Sequence, residues 1–572
     1  MNRPDIAHEL EPLFNPRSVA VIGATENWNK WGFSTFSSVL DRFGGDVYPV
    51  NSRAESILGH ESFRRVTDIP EPVDLAVFVI PAAAIPSVME DCAASGVKAG
   101  VIITAGFAET GEEGRKLQDE VVSAARKGGL RFVGPNCMGM WSASSNLMAS
   151  MFPMLVEDGP LAFVSQGGNI GGAVVMAAYQ RGVGFHHYVS CGCTADIQIE
   201  DYIEYFGDDP AVEVILTYIE GLNDGRRFIE KVSRVTRRKP VIALKPGKTD
   251  AASKAIRSHS GALAGQTAMY DAVFRKAGVV RVDAEEELLD VALGFLTQPL
   301  PRGRHVAIVT PGGSYGVLCA DACASNGLDV VPLPEKAIAE LDQIFPPRWS
   351  RGNPIDPAGD RNFIAYLGAP PRILSLAEVD ALIFMGLGNL SGVADMISSL
   401  GASPSRASGP ALPSAQDIGR ALAAFLGMLA SGDPAQIGRT IGDALSGFGP
   451  LAGLGDETDS THFSTMLADA ITSGDIDVAS LAQSLEAAAA TGTTTQALTE
   501  AIDAILGGLV RFWTRKYGKP VVTTTFTEGT PRLQGKHFSY PSGRRASRVL
   551  VKLAEYGEYL DRQGISREGR GG

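Results

Sequence analysis

Two stretches of the chain repeat the same residue pattern, and this internal repeat constrains the possible folds more than any other feature. Residues 159–182 align without gaps with residues 304–327, so that Gly167 meets Gly312 at an offset of 145 positions. Each copy consists of a short apolar run, a Gly-Gly turn and a stretch of helical composition. Because a strand that turns directly into a helix is the unit of doubly wound α/β domains, the repeat predicts two related domains with parallel sheets.

The region before the repeat shows a similar alternation of strands and helices. Apolar runs begin at Ser18, Val73 and Gly100, and segments of helical composition separate them. Short β-branched runs spaced in this way are typical of βαβ units and a parallel sheet. We therefore predict a first α/β domain at residues 11–140.

The region after the second copy differs in composition from the rest. Residues 396–507 are rich in Ala, Gly, Ser and Thr, and no lysine occurs from position 401 to position 500. Runs such as 418–427 favour helices, so we predict a helical insertion. The run from Lys519 predicts a returning strand and residues 544–559 predict a final helix, so the third domain would close around the insertion.

Charge and composition exclude some classes of protein. The 572 residues carry a formal net charge of −13, which argues against a general binder of nucleic acid or of membrane surfaces, because such proteins need a cationic field. The polar N-terminal stretch has no signal-peptide pattern, and the chain has no apolar run of about 18 residues or more. We expect a cytoplasmic protein whose six cysteines are reduced.

A cluster of potential metal ligands lies in the second domain. His186, His187, Cys191 and Cys193 are close in sequence, but their spacing fits no standard zinc pattern. Alternating core side chains on a strand are the favoured interpretation, and the sequence therefore predicts no metal site on this chain.

The two Gly-Gly turns are candidate phosphate sites. A strand that ends in a small-residue turn and opens a helix exposes backbone N–H groups, and the helix dipole adds partial positive charge there. Tight packing of a strand on a helix also selects glycine. One such turn alone is therefore as compatible with a structural role as with phosphate binding. As a matched pair the turns favour phosphate binding, and the candidate residues are Ser165, Gly167, Gly168, Asn169, Gly312, Gly313 and Ser314.

A histidine and a glutamate are the candidate catalytic residues. His259 lies in the run Ser-His-Ser-Gly-Ala-Leu-Ala-Gly, where a neutral imidazole could attack phosphorus. Taken by itself, the run favours an exposed loop histidine without a function. Glu220 ends an apolar strand, where open α/β sheets place ligand-binding groups. A carboxylate there could fix the histidine tautomer, although a glutamate in a surface turn remains the alternative.

These motifs resemble the nucleoside-diphosphate-forming acyl-CoA synthetase superfamily, and most closely the α subunits of ADP-forming acetyl-CoA synthetases, relatives of the succinyl-CoA synthetase α subunit. The resemblance covers residues 11 to about 395 and resumes at 508–560. It implies a Rossmann-like CoA-binding domain at 11–140 and two flavodoxin-like domains, at 155–298 and at 303–395 with 508–560. It further implies that His259 is the phosphorylated histidine, that Glu220 supports it, and that the two Gly-Gly turns hold its phosphoryl group.

The resemblance also implies a CoA site in the first domain. The strand ends and turns that match the family there are Val21–Thr25, Val79–Pro81, Thr104–Glu109 and Gly134–Gly139. The candidate CoA-binding residues that follow from this match are Gly23, Ala24, Thr25, Val79, Pro81, Thr104, Glu109, Asn136 and Cys137.

Cofactors and partners follow from the same resemblance. The implied activity is an acid–CoA ligase that forms acyl-CoA from a carboxylic acid, CoA and ATP, reversibly, through a phosphohistidine and an acyl phosphate. ADP or ATP with Mg²⁺ is expected on a separate ATP-grasp β subunit, in a hetero-oligomer, because the sequence contains no recognisable ATP-grasp domain. Cys193 stands where the family commonly has asparagine, which leaves the identity of the acid open.

Two other functions are weighed against the ligase. A non-catalytic CoA-binding regulatory or scaffold protein, derived from such a ligase, would dispense with His259 and Glu220, yet both are present. A Rossmann oxidoreductase would need a complete G-x-G-x-x-G and an acid about 20 residues further on. Here the glycine pattern is incomplete, and Asn51 ends the second strand.

Overall fold

The chain folds into two compact units in a computed structural model. The first unit comprises residues 1–292 and 562–565, and the second comprises 293–561 and 566–572. The structure describes residues 6–247, 249, 252, 267–360, 363–386, 457–491, 494–525, 532–533 and 535–567. Among these residues no helix has both the length and the apolar character required to cross a membrane.

The first sheet is parallel, and its helices pack on both of its faces. The strands and the two-stranded hairpin beside them are β1 (Ser18–Ile22), β2 (Asp46–Val50), β3 (Ser56–Ile57), β4 (His60–Glu61), β5 (Leu75–Phe78), β6 (Ala99–Ile102) and β7 (Arg131–Val133). The helices are α1 (Ile6–Phe14), α2 (Trp31–Arg42), α3 (Ile85–Ala94) and α4 (Glu112–Gly128). The sheet order β2-β1-β5-β6-β7 reverses direction at β1 and β5, so a crevice opens beyond the carboxyl ends of these two strands.

The second sheet belongs to the same unit and adds an antiparallel hairpin to a parallel core. Its strands are β8 (Gly139–Ser142), β9 (Leu147–Ser150), β10 (Leu161–Ser165), β11 (Phe185–Ser190), β12 (Val214–Tyr218), β13 (Val241–Leu244) and β14 (Val280–Val282), in the order β14-β13-β12-β10-β11-β8-β9. Its helices are α5 (Gly168–Gln180), α6 (Ile199–Asp208), α7 (Gly225–Thr236), α8 (Thr267–Ala277) and α9 (Glu285–Thr297). Strands β10 and β12 are buried throughout or nearly so, because helices cover both faces of a parallel sheet.

The second unit repeats the parallel arrangement. Its strands are β15 (His305–Val309), β16 (Asp329–Val330), β17 (Ala381–Met385), β18 (Val521–Thr524) and β19 (Ser539–Tyr540), in the order β16-β15-β17-β18-β19. Its helices are α10 (Gly313–Ser325), α11 (Glu335–Leu341), α12 (Phe363–Leu374), α13 (Glu457–Thr472), α14 (Val478–Thr491), α15 (Thr494–Tyr517) and α16 (Gly543–Arg562). A buried cluster around Trp513 and Phe384 packs α12, α13 and α15 against β17.

Most of the predicted elements are confirmed. Strand β1 occupies the run from Ser18, β18 occupies the run after Lys519, and α16 covers the predicted final helix. The prediction of a helical run at 418–427 lies outside the described residues. Helices α13 and α14 fall within the predicted insertion, and α15 continues past its proposed end at residue 507.

Candidate functional site

A large cavity in the first unit collects the carboxyl ends of strands from both of its sheets. Its volume is about 1560 Å³, and its walls include the turn after β1, the loop after β7, the start of α5 and the end of β12. Pockets for drug-sized ligands usually measure about 300–1,000 Å³. The cavity therefore has room for one extended ligand together with a second, small one.

At the turn after β1, the cavity wall is formed by backbone that carries no side chain. Gly23 has φ +96°, and a Cβ atom there would lie 2.3 Å from the carbonyl oxygen of Val79. A Cβ on Gly32, at the start of α2, would lie 2.0 Å from the carbonyl oxygen of Gly23. Only glycine permits both close approaches, and together they bring the N-terminus of α2 to the cavity.

Two loops of the first domain meet beside this turn. The Asn136 backbone N–H donates to the carbonyl oxygen of Thr104 at 2.9 Å, and the Thr104 hydroxyl donates to the carbonyl oxygen of Ile80 at 2.7 Å. The Cys137 thiol donates to the carbonyl oxygen of Ile102, and burial raises its pKa to about 12. Cys137 is therefore a neutral, inert side chain of the wall and no nucleophile at physiological pH.

Four cationic side chains line the same part of the cavity: Lys30, Arg53, Arg64 and Arg65. Arg65 pairs with Asp91 at 2.7 Å. Within the described part of the chain, Lys30, Arg53 and Arg64 form no ion pair. Trp31 also lines the wall and packs edge-on against Phe152, with ring centroids 4.7 Å apart.

At the other end of the cavity a glutamine clamps the loop that carries Glu220. The Gln166 side-chain oxygen accepts from the backbone N–H of Glu220 at 2.5 Å and from that of Gly221 at 3.0 Å, and its amide donates to the Gly221 carbonyl oxygen. The Glu220 residue is 4% exposed and lines the cavity. The Tyr218 hydroxyl donates to its Oε1 at 3.5 Å.

Helix α5 opens toward the same end of the cavity. Gly167, Gly168 and Asn169 line the wall, and no side chain caps the first turn of the helix, so its backbone N–H groups remain available to a ligand. A Cβ on Gly167 would lie 2.8 Å from Cε1 of Tyr218. Ser165 is buried beneath the turn, where its hydroxyl donates to the Gly167 carbonyl oxygen at 2.7 Å.

The second copy of this turn has the same local hydrogen bond. In the second unit the Thr310 hydroxyl donates to the Gly312 carbonyl oxygen at 2.9 Å, and Gly313 and Ser314 begin α10 with no side-chain cap. Strand β10 with α5 and strand β15 with α10 are therefore equivalent in local structure as well as in sequence.

The remaining predicted site residues are placed differently. His259 lies outside the described residues. Ala24 is fully buried below the cavity wall, and its carbonyl oxygen accepts from the Asn51 side chain at 2.8 Å. Glu109 does not line the cavity; its carboxylate accepts from the backbone N–H of Gly106 and from the Cys193 thiol.

Cys193 is the wall residue at which the sequence departs from the family pattern. Its side chain lines the cavity, and burial together with Glu109 raises the pKa of its thiol to about 12. Asp196, three residues later, accepts from the side chain of Arg131 and from the backbone N–H of Phe132, and so holds its own loop in place.

A buried lysine lies near Glu220, and the sequence reasoning missed it. Lys245 follows β13; its Nζ stands 4.4 Å from the ring centre of Tyr270, and burial lowers its pKa to about 8. The Tyr270 hydroxyl accepts from the backbone N–H of Leu222, in the loop after Glu220. The signal that could have found Lys245 is its position directly after the apolar run Val241–Leu244, because ligand-binding groups follow the carboxyl ends of parallel strands.

Three family models match the chain. A "CoA binding domain" covers residues 17–142, a "Succinyl-CoA ligase like flavodoxin domain" covers 158–295, and a "Ligase-CoA domain" covers 306–384. The fold class predicted from the sequence, a CoA-binding domain followed by flavodoxin-like domains, is confirmed.

The most informative relatives are ligases. The chain is 42% identical to the α subunit of the ADP-forming acetate–CoA ligase II of Pyrococcus furiosus over 374 residues, 65% of this chain and 81% of that protein. It is 37% identical to the ADP-forming acetate–CoA ligase of Methanocaldococcus jannaschii, over 62% of this chain and 50% of that protein. Thus the chain spans most of the first relative and about half of the second.

A solved structure matches almost the whole chain. The acetyl-coenzyme A synthetase 1 of Ca. Korarchaeum cryptofilum, in complex with phosphate and ADP, is 26% identical, with a TM-score of 0.68 over 97% of this chain and 99% of that chain. With the family models and the Pyrococcus relative, this identifies an enzyme family and does not favour a scaffold protein. The chain belongs to the ADP-forming acyl-CoA synthetases of the nucleoside-diphosphate-forming superfamily, and is of the α-subunit type.

Proposed function

We propose that this chain is the CoA-binding and phosphoryl-carrying subunit of an ADP-forming ligase that joins a small carboxylic acid to CoA. One observation carries the proposal: the cationic wall of the first domain and the Glu220 end of the second domain open onto a single cavity. A ligase of this kind must bring an acyl carbon within reach of both a phosphoryl group and a thiol, and one shared cavity meets that need.

The first-domain wall has the groups that CoA requires. CoA carries phosphates at one end and a thiol at the other, and the wall offers Lys30, Arg53 and Arg64 together with the start of α2. The exposed ring of Trp31 supplies a surface on which an adenine base would stack. We assign the CoA thiol to the loop of Asn136, which lies toward Glu220, with Gly23, Thr25, Val79, Pro81 and Thr104 along the wall between.

The second-domain wall suits a phosphoryl group. The open first turn of α5 at Gly167, Gly168 and Asn169 offers backbone N–H groups and partial positive charge. Nearby, the Gln166 clamp holds the backbone of Glu220, so that its carboxylate is in a position to orient an imidazole. We assign that imidazole to His259, whose chain segment joins β13 to α8.

The proposed cycle has three transfers. Nε2 or Nδ1 of His259 takes the γ-phosphoryl group of ATP, and ADP leaves. The carboxylate oxygen of the acid then takes the phosphoryl group from His259, which gives an acyl phosphate and returns a neutral imidazole. CoA supplies the thiol sulfur that bonds to the acyl carbon, while inorganic phosphate leaves and the thiol proton is released. The chain's own contribution is to position these groups and to stabilise their charge.

We assign nucleotide binding with Mg²⁺ to an ATP-grasp β subunit in a hetero-oligomer. Two facts support this. The Pyrococcus relative is itself named a subunit α, and the Methanocaldococcus relative is about twice the aligned length.

The CoA assignment is tested by calorimetric titration of the full chain with CoA. Arg53→Gln and Arg64→Gln should each weaken binding about 3- to 10-fold at low salt, and less at high salt, because exposed charges are screened. Arg126→Gln, an exposed arginine on α4 away from the cavity, is the matched control and should bind as the wild type. If all four proteins bind CoA with equal affinity, CoA does not bind at this wall and the assignment is wrong.

The ligase assignment is tested with the reconstituted α and β subunits. Mixed with ATP, Mg²⁺, CoA and a set of small carboxylic acids, they should release ADP beyond one equivalent per chain only when an acid and CoA are both present. Sustained ADP release that needs no acid would contradict the proposal.

A further inference from the structure

Strand β11 contains an irregularity that turns two neighbouring histidines to the same side. Leu161 of β10 pairs with Phe185, but the next residue, Ala162, pairs with His187, so His186 is an extra residue in the ladder. Adjacent side chains of a regular strand point to opposite faces. Here, in contrast, the two imidazole centroids are only 4.6 Å apart. Bulges of this kind often change the direction of a side chain at a functional site.

Both rings face one carboxylate. Oδ2 of Asp209, just after α6, lies 2.9 Å from Nε2 of His187 and 3.6 Å from Nε2 of His186. One ligand atom from each of the three residues lies within 4.8 Å of the others. Ligand atoms bound at about 2.0–2.1 Å in a tetrahedral zinc site are separated by roughly 3.3 Å, a value that lies between the two distances to Asp209.

The opposite nitrogen of each ring already has a partner. Nδ1 of His186 lies 2.8 Å from Oδ1 of Asp158, and Nδ1 of His187 lies 3.3 Å from the hydroxyl of Ser142. Without an ion, Nε2 of His187 hydrogen-bonds to Asp209 at 2.9 Å. An ion bound there would take the place of that proton, so that both Nδ1 atoms carry a proton and both Nε2 atoms present lone pairs to the ion. Metal-bound histidines nearly always show this arrangement, with one nitrogen on the metal and the other donating to a carboxylate or other oxygen.

The surroundings fix the ligands in place. His187 is fully buried among Phe14, Tyr205 and Phe206, and the His187 and Phe206 rings are stacked. The Asp158 side chain is 65% exposed, so ions and water reach the cluster from that side. A neighbouring cation, Lys239, donates its Nζ protons to the backbone carbonyl oxygens of Phe206 and Asp209.

We propose that His186, His187 and Asp209 form a binding site for a divalent transition-metal ion of the zinc type, with water as the remaining ligand and with Asp158 and Ser142 orienting the imidazoles. Imidazole with a carboxylate is a donor set that suits Zn²⁺. The site is separate from the ligase cavity, whose walls include Ser190 at the far end of β11 and none of these three ligands.

Its role would be structural. The ion would tie the loop after α6 to β11, and through Ser142 to β8, in the sheet that carries Glu220. The two cysteines once considered with the histidines take no part, since Cys191 and Cys193 follow the opposite end of β11. Sequence spacing alone does not point to this proposed site, because its third ligand, Asp209, is distant in sequence from the two histidines.

The test uses the full chain, stripped with EDTA and titrated with Zn²⁺ and with Co²⁺. The wild type should bind one equivalent of Zn²⁺ and melt at a higher temperature when it is bound, and Co²⁺ should give the strong visible absorption of a tetrahedral ion. His186→Gln and Asp209→Asn should each weaken binding at least about 10-fold, and Asp158→Asn should have a smaller effect of the same sign.

The matched control is His305→Gln. His305 is exposed and has a single carboxylate, Asp380, at 3.8 Å, so its loss should leave metal binding unchanged. Circular dichroism of each metal-free variant establishes that it is folded. A wild type that binds no Zn²⁺, or folded His186→Gln and Asp209→Asn proteins that bind it as tightly as the wild type, would overturn the proposal.

Discussion

Glu220 shows how a single residue is positioned for chemistry. It follows a buried strand, the side chain of Gln166 holds its backbone, and the Tyr218 hydroxyl reaches its carboxylate. Fixing the backbone on one side and the carboxylate on the other removes most of the freedom of a long side chain. Such pre-organisation is what an imidazole would need in order to keep one tautomer throughout a transfer.

Replacement of Glu220 by Gln should slow phosphorylation of the chain by a factor on the order of 10²–10⁴, because an amide cannot hold the imidazole in the attacking tautomer as a carboxylate does. The measurement is the rate of single-turnover transfer from ATP with the β subunit present. Glu213→Gln, an exposed acid just before β12, is the control and should react at the wild-type rate. A Glu220→Gln protein that reacts equally fast would show that the carboxylate has no such role.

At the residue scale the sequence predicts what is local and misses what the fold assembles. Glu220 and Gly167 could be found as candidate site residues, because a few consecutive residues are enough to recognise a strand end or a Gly-Gly turn. Lys30 and Arg64 could not, because the fold brings them to the cavity wall from separate segments. Glu109 was predicted to bind CoA, whereas its carboxylate is occupied by Gly106 and Cys193; its assignment to the CoA site remains a prediction.

Helix α5 offers a direct test of why its glycines are there. A Cβ on Gly171 would lie 2.2 Å from the hydroxyl oxygen of Tyr188, which is buried in the sheet, whereas a Cβ on Gly172 would have no atom within 4 Å. We expect Gly171→Ala to lower stability by about 1–3 kcal/mol through overpacking. Gly172→Ala should raise it by roughly 0.5–1 kcal/mol, because alanine is the better helix former.

The two alanine variants are matched, since they are neighbours in one helix and add the same methyl group. Urea denaturation followed by circular dichroism gives the comparison. If the two substitutions change the free energy of unfolding equally, the helix α5 does not pack on β11 through the face that carries Gly171.

A buried histidine two residues before β19 should make the second unit sensitive to acid. Nε2 of His537 lies 2.9 Å from the Thr523 hydroxyl, and burial, aided by Arg511, lowers its pKa to about 4. In the unfolded chain it titrates near 6.5. As the pH falls from 6.5 to 4 the unfolded state therefore binds the proton first, and stability is lost across that window.

Replacement of His537 by Gln keeps a hydrogen-bonding side chain but cannot titrate. Relative to this variant, the wild type should lose up to about 3 kcal/mol between pH 6.5 and 4, at 1.36 kcal/mol for each unit of pKa difference. Urea unfolding at several pH values measures it. A difference between the two proteins that stays constant with pH would show that His537 is not buried as a neutral group.

At the scale of the whole molecule, the internal repeat and the alternation of strands and helices predict the order of the α/β domains. They do so because parallel sheets need crossover helices and therefore impose a periodic pattern on the sequence. The hairpin of β8 and β9 was not predicted: it adds antiparallel strands to the edge of the second sheet, and its short strands carry no strong pattern.

The relatives differ in how much of their length this chain matches. It matches most of an α subunit but half of a longer ligase, which supports the proposal that groups of a partner subunit complete the catalytic cycle. We propose that the cavity of the first unit holds the acyl-transfer half of that cycle and that His259 carries the phosphoryl group between the two halves.

The measurement that tests this most directly is transfer of label from γ-labelled ATP, with Mg²⁺ and the β subunit, to the 572-residue chain. The account predicts acid-labile, base-stable label on the wild type, none on His259→Ala, and release of the label as inorganic phosphate when the acid and CoA are added. His8→Ala, a histidine of α1 far from β13 in sequence, should label as the wild type does. Label that persists on His259→Ala, or that never reaches the wild type beside an active β subunit, would contradict the account.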